Sequence, residues 1–212
     1  MSVARLDPGA LRLVAITDSL RNGVDGLVAR ARGAVAGGAT MVQVRLKDES
    51  ARTLVEVARA LRIAVPSVPV LVNARTDVAL AAGAAGVHLG IDDLPATAVR
   101  RVVPAEFIIG VSVGDGDPAA ALVDADYAAV GPVFVASSGP ETAHAVGLAR
   151  IRELSAAMSC PVLAIGGIDV TNAASVVRAG AAGIAVISAI LGAADPTTHA
   201  RAFRAALDAS GR

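Results

Sequence analysis

The sequence predicts an α/β fold, a single (β/α)8 TIM barrel formed by residues 1–212. Its length of 212 residues lies within the range of one such barrel. Hydrophobic residues make up 54% of the chain but aromatic residues only 2%, so the core must consist of aliphatic side chains, which suit buried parallel strands. Short apolar runs also alternate with longer amphipathic segments, which is the order of strands and helices in a barrel.

The apolar runs predict eight strands, at residues 12–17, 41–45, 68–72, 86–89, 107–112, 127–131, 161–166 and 183–188. Helical periodicity lies between them, for example at residues 25–35, 51–63, 147–158 and 170–179. Each of these segments is long enough to return the chain to the start of the next parallel strand. Eight such units favour a closed barrel, and an open doubly wound sheet is the second alternative.

One pattern recurs at predicted helix ends, in residues 36–40, 82–86 and 179–183. Each copy places glycine and other small residues directly before a strand. Glycine adopts the left-handed backbone conformation that ends many helices, so we expect tight turns at this face of the barrel. The start of the chain carries no such signal, and we expect residues 1–10 to form a loosely ordered N-terminal extension.

Charge and cysteine content exclude several classes of partner. The 19 basic and 19 acidic residues balance, so the chain has no net field to attract nucleic acid or an anionic membrane surface. A single cysteine, Cys160, cannot form an internal disulfide. There is no long apolar span and no signal-peptide pattern. We therefore predict a cytoplasmic protein without nucleic-acid or membrane partners, and the sequence leaves a homo-oligomer open.

Polar residues follow the second predicted strand, at the end of a barrel where active sites form. Gln43, Arg45 and Lys47 alternate with apolar residues and so point the same way along an extended segment. Two cations and an amide in this arrangement form a clamp for phosphate or diphosphate, because arginine can bind two oxygens at once. The alternative for these three residues alone is a solvated strand end with scattered charges.

The next two strand ends also carry polar residues. Asn73 follows the third strand, His88 lies in the fourth, and Asp92 and Asp93 come just after it. A carboxylate beside bound phosphate is a natural Mg²⁺ ligand, and we favour this role for Asp93. The alternative for either aspartate is a cap for the helix that begins near Pro95, and for Asp92 the metal role and the capping role are equally supported. His88 is predicted to be a packed, structural strand residue.

The last two strands predict an anion site. Gly166 and Gly167 end the seventh strand, and Ser188 ends the eighth. Glycines let the backbone approach an anion closely, and the loops after these two strands form the recurrent phosphate site of this fold. A plain tight turn is the alternative, but the pairing with Ser188 favours phosphate.

Seven segments together carry a family pattern, at residues 42–48, 72–73, 86–90, 110–112, 131–134, 164–168 and 187–190. In order and spacing they resemble the thiamine phosphate synthase family, whose close relative is the thiazole tautomerase. The resemblance covers almost the whole chain. It implies a transferase that couples hydroxymethylpyrimidine diphosphate with hydroxyethylthiazole phosphate, giving thiamine phosphate and pyrophosphate.

The resemblance also implies a site, residue by residue. The phosphorylated substrates would contact Gln43, Arg45, Lys47, Asn73, Ser112, Ser138, Gly167, Ile187 and Ser188, and Asp93 would bind the cofactor Mg²⁺. Within this set the first four residues would hold the diphosphate, Ser112 would lie near the pyrimidine, and the last three would bind the thiazole phosphate. Catalysis would be mainly electrostatic and is assigned to Arg45, Lys47 and Ser112.

The chain departs from the family pattern at several positions. Ala74 replaces an aspartate that serves as a second Mg²⁺ ligand, and Gly139 replaces a lysine in the loop after the sixth strand. Ala136 replaces a threonine of the same loop, where Ser138 keeps a hydroxyl, and Ile91 replaces a glutamine. Loss of one preorganised diphosphate ligand costs on the order of hundreds-fold in rate, so these departures predict reduced activity.

Two alternatives to a synthase stay open at this point. A thiazole tautomerase would need neither diphosphate nor metal, but Pro132 stands where its proton-shuttling histidine is expected. The second alternative is a non-catalytic binder that senses thiamine precursors.

Overall fold

The structure is a computed structural model that describes residues 6–17, 19–113, 122–135 and 144–209. Eight parallel strands pair in chain order and close into a barrel, with the last strand beside the first. Their bounds are β1 Leu13–Ile16, β2 Met41–Val44, β3 Val70–Asn73, β4 Gly86–Leu89, β5 Ile108–Val113, β6 Tyr127–Val130, β7 Val162–Ile165 and β8 Gly183–Val186. The predicted (β/α)8 barrel is therefore confirmed, and the open sheet is excluded.

Helices cover the outside of the barrel. They are α1 Gly23–Ala36, α2 Ala51–Ala64, α3 Thr76–Ala82, α4 Ala96–Arg100, α5 Gly147–Ala157, α6 Ala173–Arg178, α7 Ser188–Leu191 and α8 Pro196–Asp208. A 3₁₀ turn, Pro8–Leu11, precedes β1. The helix predicted at residues 170–179 begins three residues later, because the Asp169 carboxylate accepts hydrogen bonds from the backbone of Thr171 and Asn172 and holds a turn there.

The core has two layers because side chains alternate between the two faces of each strand. One face packs inside the barrel, where Val14, Met41, Leu71, Tyr127 and Leu163 form a single buried cluster. The other face packs under the helices in two further clusters of aliphatic residues. The inward positions nearest the carboxyl ends of the strands are left for the site.

The repeated glycine turns lie at the opposite end of the barrel. Gly83 and Gly180 have φ angles of 66° and 116°, as the left-handed helix ends require. In the first copy Gly38 takes this conformation with φ 110°, whereas Gly37 remains right-handed. Gly37 is needed for packing, since a Cβ there would lie 2.4 Å from the carbonyl oxygen of Thr197 in α8.

Leu6 is buried and the Asp7 carboxylate accepts a hydrogen bond from the Gly9 amide, so the described part of the N-terminal segment packs on the barrel. The looseness of residues 1–10 stays a prediction. Cys160 is a free, half-buried thiol. In the described part of the chain, the helices are too short or too polar to cross a membrane.

Candidate active site

A cavity of about 320 Å³ opens at the carboxyl ends of the strands. Its lining residues come from all eight strands or the turns that follow them, and apart from Gly90 they divide into two groups. The polar wall consists of Gln43, Arg45, Lys47, Asn73, His88 and Ser112, from β2 to β5. The apolar wall consists of Ile16, Ala129, Leu163, Ile165, Ala185 and Ile187, from β1 and from β6 to β8.

The polar wall contains all four residues that were predicted to hold the diphosphate, Gln43, Arg45, Lys47 and Asn73. Gln43, Arg45 and Lys47 line one cavity, as their alternation predicted. Their solvent exposure increases along the segment, since Gln43 is only 2% exposed, Arg45 is half-buried and Lys47 is exposed. Arg45 and Lys47 therefore lie at the mouth of the cavity, and the Gln43 amide lies deeper inside it.

Hydrogen bonds hold this wall in place. Gln43 Nε2 donates to Asn73 Oδ1 over 3.0 Å, joining β2 to β3. The Arg45 backbone amide donates to Thr17 Oγ1 over 2.8 Å, and Thr17 is fully buried at the end of β1. Sequence reasoning missed Thr17, although a polar residue directly after an apolar strand was a usable signal. These contacts orient the amide pair and the backbone that carries the Arg45 side chain.

His88 and Ser112 form a second hydrogen-bonded group. His88 Nδ1 lies 3.0 Å from the Tyr127 hydroxyl, and His88 Nε2 lies 3.0 Å from Ser112 Oγ. Burial lowers the pKa of His88 to about 4, against a weaker opposing effect of the Asp93 charge, so the imidazole is neutral at pH 7. His88 is thus a packed strand residue, as predicted, but it also lines the cavity and touches a predicted site residue.

Asp93 lies at the rim, just beyond the cavity lining. Its Oδ2 atom accepts a hydrogen bond from the Gly90 backbone amide over 2.6 Å, which folds the turn after β4 back on itself. The capping alternative is wrong, because α4 begins at Ala96 with Pro95 as its N-cap and no side-chain cap. Asp92, by contrast, is exposed.

The donor set at Asp93 fits Mg²⁺ only together with a phosphorylated ligand. Among the described residues there is no group of three or more His, Cys, Asp or Glu side chains that could hold a metal. One carboxylate with bound phosphate oxygens and waters is nevertheless a common Mg²⁺ environment. Asp93 Oδ1 remains for such an ion while Oδ2 holds the turn.

Ala74, where the family pattern has aspartate, occupies an unusual backbone conformation. Its φ angle is 63°, in the left-handed region that disfavours residues with a Cβ, although aspartate and asparagine tolerate it better than alanine. Its amide donates to the His88 carbonyl oxygen over 2.7 Å. The backbone shape of this turn therefore suits the missing aspartate better than the alanine that is present.

The predicted anion site follows two neighbouring strands, β7 and β8. Gly166 and Gly167 have φ angles of 94° and 65°, so the turn needs glycine at both positions. A Cβ on Gly167 would also lie 2.4 Å from the Phe134 carbonyl oxygen. Ser188 is exposed at the first position of α7, and Ile187 lines the cavity just before it. Ser138, Gly139 and Ala136 lie outside the described residues.

Comparison with known proteins decides the family. Residues 13–190 match the family described as thiamine monophosphate synthase. The chain belongs to this family. A thiamine-phosphate synthase of Methanoculleus marisnigri is 48% identical over 189 residues, which are 86% of this chain and 90% of the relative. That of Roseiflexus castenholzii is 46% identical over 192 residues, covering 89% and 84% of the two chains.

A solved structure agrees with the sequence relatives. The thiamine phosphate pyrophosphorylase of Pyrococcus furiosus is 35% identical and superposes with a TM-score of 0.83, covering 97% of this chain and 99% of its own. Family membership at this level of identity confirms the predicted function, thiamine phosphate synthesis by a transferase. The roles of individual site residues stay predictions.

Proposed function

We propose that the polar wall binds hydroxymethylpyrimidine diphosphate and that the chain joins its pyrimidinylmethyl group to hydroxyethylthiazole phosphate. The observation that carries this proposal is the convergence of Arg45 and Lys47 at the mouth of one cavity, above the Gln43–Asn73 amide pair. Arg45 and Lys47 would pair with diphosphate oxygens. The two neutral amides complete the clamp below as hydrogen-bond partners.

The chemistry follows from this division of charge. The bond between the pyrimidine methylene carbon and the diphosphate oxygen breaks, and pyrophosphate leaves with the electron pair. The thiazole nitrogen then donates its lone pair to the methylene carbon, which forms thiamine phosphate. Arg45 and Lys47 stabilise the charge that develops on the leaving group, an effect that typically accounts for the largest part of such a rate enhancement.

The thiazole phosphate is assigned to the other side of the mouth. Gly166 and Gly167 follow β7, and Ile187 and Ser188 follow the neighbouring strand β8. Backbone amides at such a turn and a serine hydroxyl are suitable phosphate donors. We also assign Ser138 to the substrate site, on the resemblance alone. The two phosphorylated groups then bind at opposite sides of one cavity.

Mg²⁺ would be held by Asp93 and the diphosphate, and it would neutralise charge on the leaving group. Calorimetry with the pyrimidine diphosphate, with and without Mg²⁺, tests this. Affinity should fall when Mg²⁺ is removed, and Asp93→Asn should abolish the difference while keeping an acceptor for the Gly90 amide. Asp92→Asn is the matched control, because Asp92 is adjacent and exposed. Equal affinity with and without Mg²⁺ in the parent protein would reject the metal role.

An assay of product formation tests the reaction itself. The chain is mixed with both substrates and Mg²⁺, and thiamine phosphate and pyrophosphate are measured separately. They should appear in equal amounts. Binding of both substrates without any product would contradict the proposal and favour a binder of thiamine precursors.

We further propose a cytoplasmic location with phosphorylated small molecules as the partners. The balanced charge of the chain supports this, since it provides no attraction for nucleic acid or an anionic membrane. A homo-oligomer is compatible with the proposal.

A further inference from the structure

Three side chains connect the barrel interior to the cavity through hydrogen bonds. Tyr127 is fully buried in β6, and its ring stacks on His88 with the ring centroids 5.7 Å apart and the planes 26° from parallel. His88 in turn lies between the Tyr127 hydroxyl and Ser112 Oγ, at 3.0 Å from each. Ser112 is half-buried and lines the cavity.

The contact between Tyr127 and His88 requires a residue without a side chain at Gly110, on the strand between them. His88 on β4 is in register with Gly110 on β5, and Gly110 is in register with Tyr127 on β6. A Cβ on Gly110 would lie 2.0 Å from Tyr127 Cζ. Only glycine therefore lets the tyrosine ring lie across β5 and reach the histidine two strands away.

The direction of the hydrogen bonds follows from what each group can donate. Burial raises the pKa of the Tyr127 hydroxyl and lowers that of His88, so both are neutral at pH 7 and the imidazole has one N–H and one lone pair. In the described part of the chain, the Tyr127 hydroxyl has His88 as its hydrogen-bond partner. If the tyrosine hydroxyl only accepted a bond, its own proton would be buried without an acceptor, which is unfavourable.

Tyr127 therefore donates to His88 Nδ1, and the histidine proton lies on Nε2. The Nε2–H group donates to Ser112 Oγ, which leaves the serine proton to be donated elsewhere. We propose that Tyr127 and His88 are positioning residues that fix Ser112 as a hydrogen-bond donor toward the cavity. The polar wall then selects a ligand with an acceptor at this point, such as an unprotonated pyrimidine ring nitrogen. Only the identity of this ligand rests on the proposed function.

The tautomer of His88 can be read without any substrate. In ¹⁵N-labelled protein at pH 7, two-bond ¹H–¹⁵N correlation spectra distinguish a proton on Nε2 from one on Nδ1. The chain has three histidines, so His144→Gln and His199→Gln leave the signals of His88 for assignment. We expect a single Nε2–H tautomer. An Nδ1–H tautomer, or a mixture of the two, would overturn the proposal whether or not the chain makes thiamine phosphate.

Kinetics test the effect on the ligand. Tyr127→Phe keeps the ring but removes the donor, and it should raise the KM for the pyrimidine diphosphate up to about tenfold, with the KM for the thiazole phosphate unchanged. Ser112→Ala should have an effect at least as large. Because Tyr127 acts through Ser112, Tyr127→Phe should change the pyrimidine KM little further in the Ser112→Ala background. The same fold-change in both backgrounds would mean that Tyr127 acts through packing alone, and would overturn the proposal.

Discussion

The two walls of the cavity are made by the same strand alternation, yet they differ in almost every physical property. In the polar wall Gln43 hydrogen bonds to Asn73 and His88 to Ser112, and the wall reaches the solvent at Lys47. The apolar wall offers only aliphatic side chains, of which Ile16, Ala129, Leu163 and Ala185 are buried. One wall can hold charge, and the other can exclude water.

This division suits a reaction that produces a short-lived cation. A pyrimidinylmethyl cation reacts with water as well as with a thiazole nitrogen, so an apolar surface beside it favours the intended product. The fixed positive charges are needed only at the departing diphosphate. If the polar wall binds the diphosphate as proposed, the barrel separates binding of the leaving group from protection of the reacting group, and the following experiments test that separation.

The largest effect is expected at Arg45. Arg45→Ala removes a charged donor from the polar wall, and kcat/KM for thiamine phosphate formation should fall roughly 100- to 1000-fold, as for other preorganised electrostatic contacts. The free energy of unfolding should change little, because the side chain lies at the cavity mouth. Arg52→Ala, on the exposed surface of α2, is the matched control. A loss of similar size in both variants would mean that the charge at the mouth has no special role.

Leu163 is expected to show the opposite behaviour. Leu163→Ala leaves a hole in the barrel interior, where the side chain is 1% exposed, and should lower the free energy of unfolding by about 2–5 kcal/mol. Urea unfolding of the variant and the parent protein measures this. The KM for the pyrimidine diphosphate should change much less than in Arg45→Ala. A larger effect on diphosphate affinity than on stability would contradict the separation of the two walls.

The pH dependence of stability should report the buried His88. Its pKa is lowered in the folded state to about 4 from 6.5, so the unfolded chain binds more protons between these values. The free energy of unfolding therefore falls as the pH is lowered through this window, by about 3 kcal/mol in total, since one pKa unit corresponds to about 1.4 kcal/mol. The contribution is fully present above pH 6.5.

Urea unfolding at several pH values between 7 and 4 measures this contribution. In His88→Gln the fall in stability across the window should be smaller by the same amount, whereas His199→Gln, at an exposed position, should follow the parent protein. Parallel curves for the parent and His88→Gln would show that His88 is protonated equally in both states.

The smallest effect is expected at Ala74, which follows Asn73 of the polar wall and departs from the family pattern. Ala74→Asn and Ala74→Asp should both raise the free energy of unfolding by up to about 1 kcal/mol, because both residues tolerate φ 63° better than alanine. Only the aspartate restores a carboxylate, so turnover should rise in Ala74→Asp and not in the asparagine variant. Equal turnover in the two variants would remove the argument for a missing metal ligand.

A second test uses Gly139→Lys, at a position outside the described residues. A lysine there should return a cation to the leaving group and raise turnover. Since both changes act on one diphosphate, the double variant with Ala74→Asp need not show the product of the two gains. No product from the parent, both single variants and the double variant would contradict thiamine phosphate synthesis by this chain.

The sequence predicted the architecture and several of the residues that line the cavity. Strand positions agree with the apolar runs to within two residues, because burial on both faces of a parallel strand leaves a local, readable pattern. The alternation of Gln43, Arg45 and Lys47 likewise predicted one shared face, which the cavity confirms. These features depend on neighbours in the chain.

The remaining features depend on register between strands, which no local pattern contains. His88 and Tyr127 are 39 residues apart, and they meet only because β4, β5 and β6 align them on either side of Gly110. Asp93 was predicted to be a metal ligand in preference to a helix cap, and the turn after β4 also directs one of its oxygens to the Gly90 amide. Tertiary structure decided which polar groups satisfy one another and which remain for a ligand, since burial obliges each donor and acceptor to find a partner within reach.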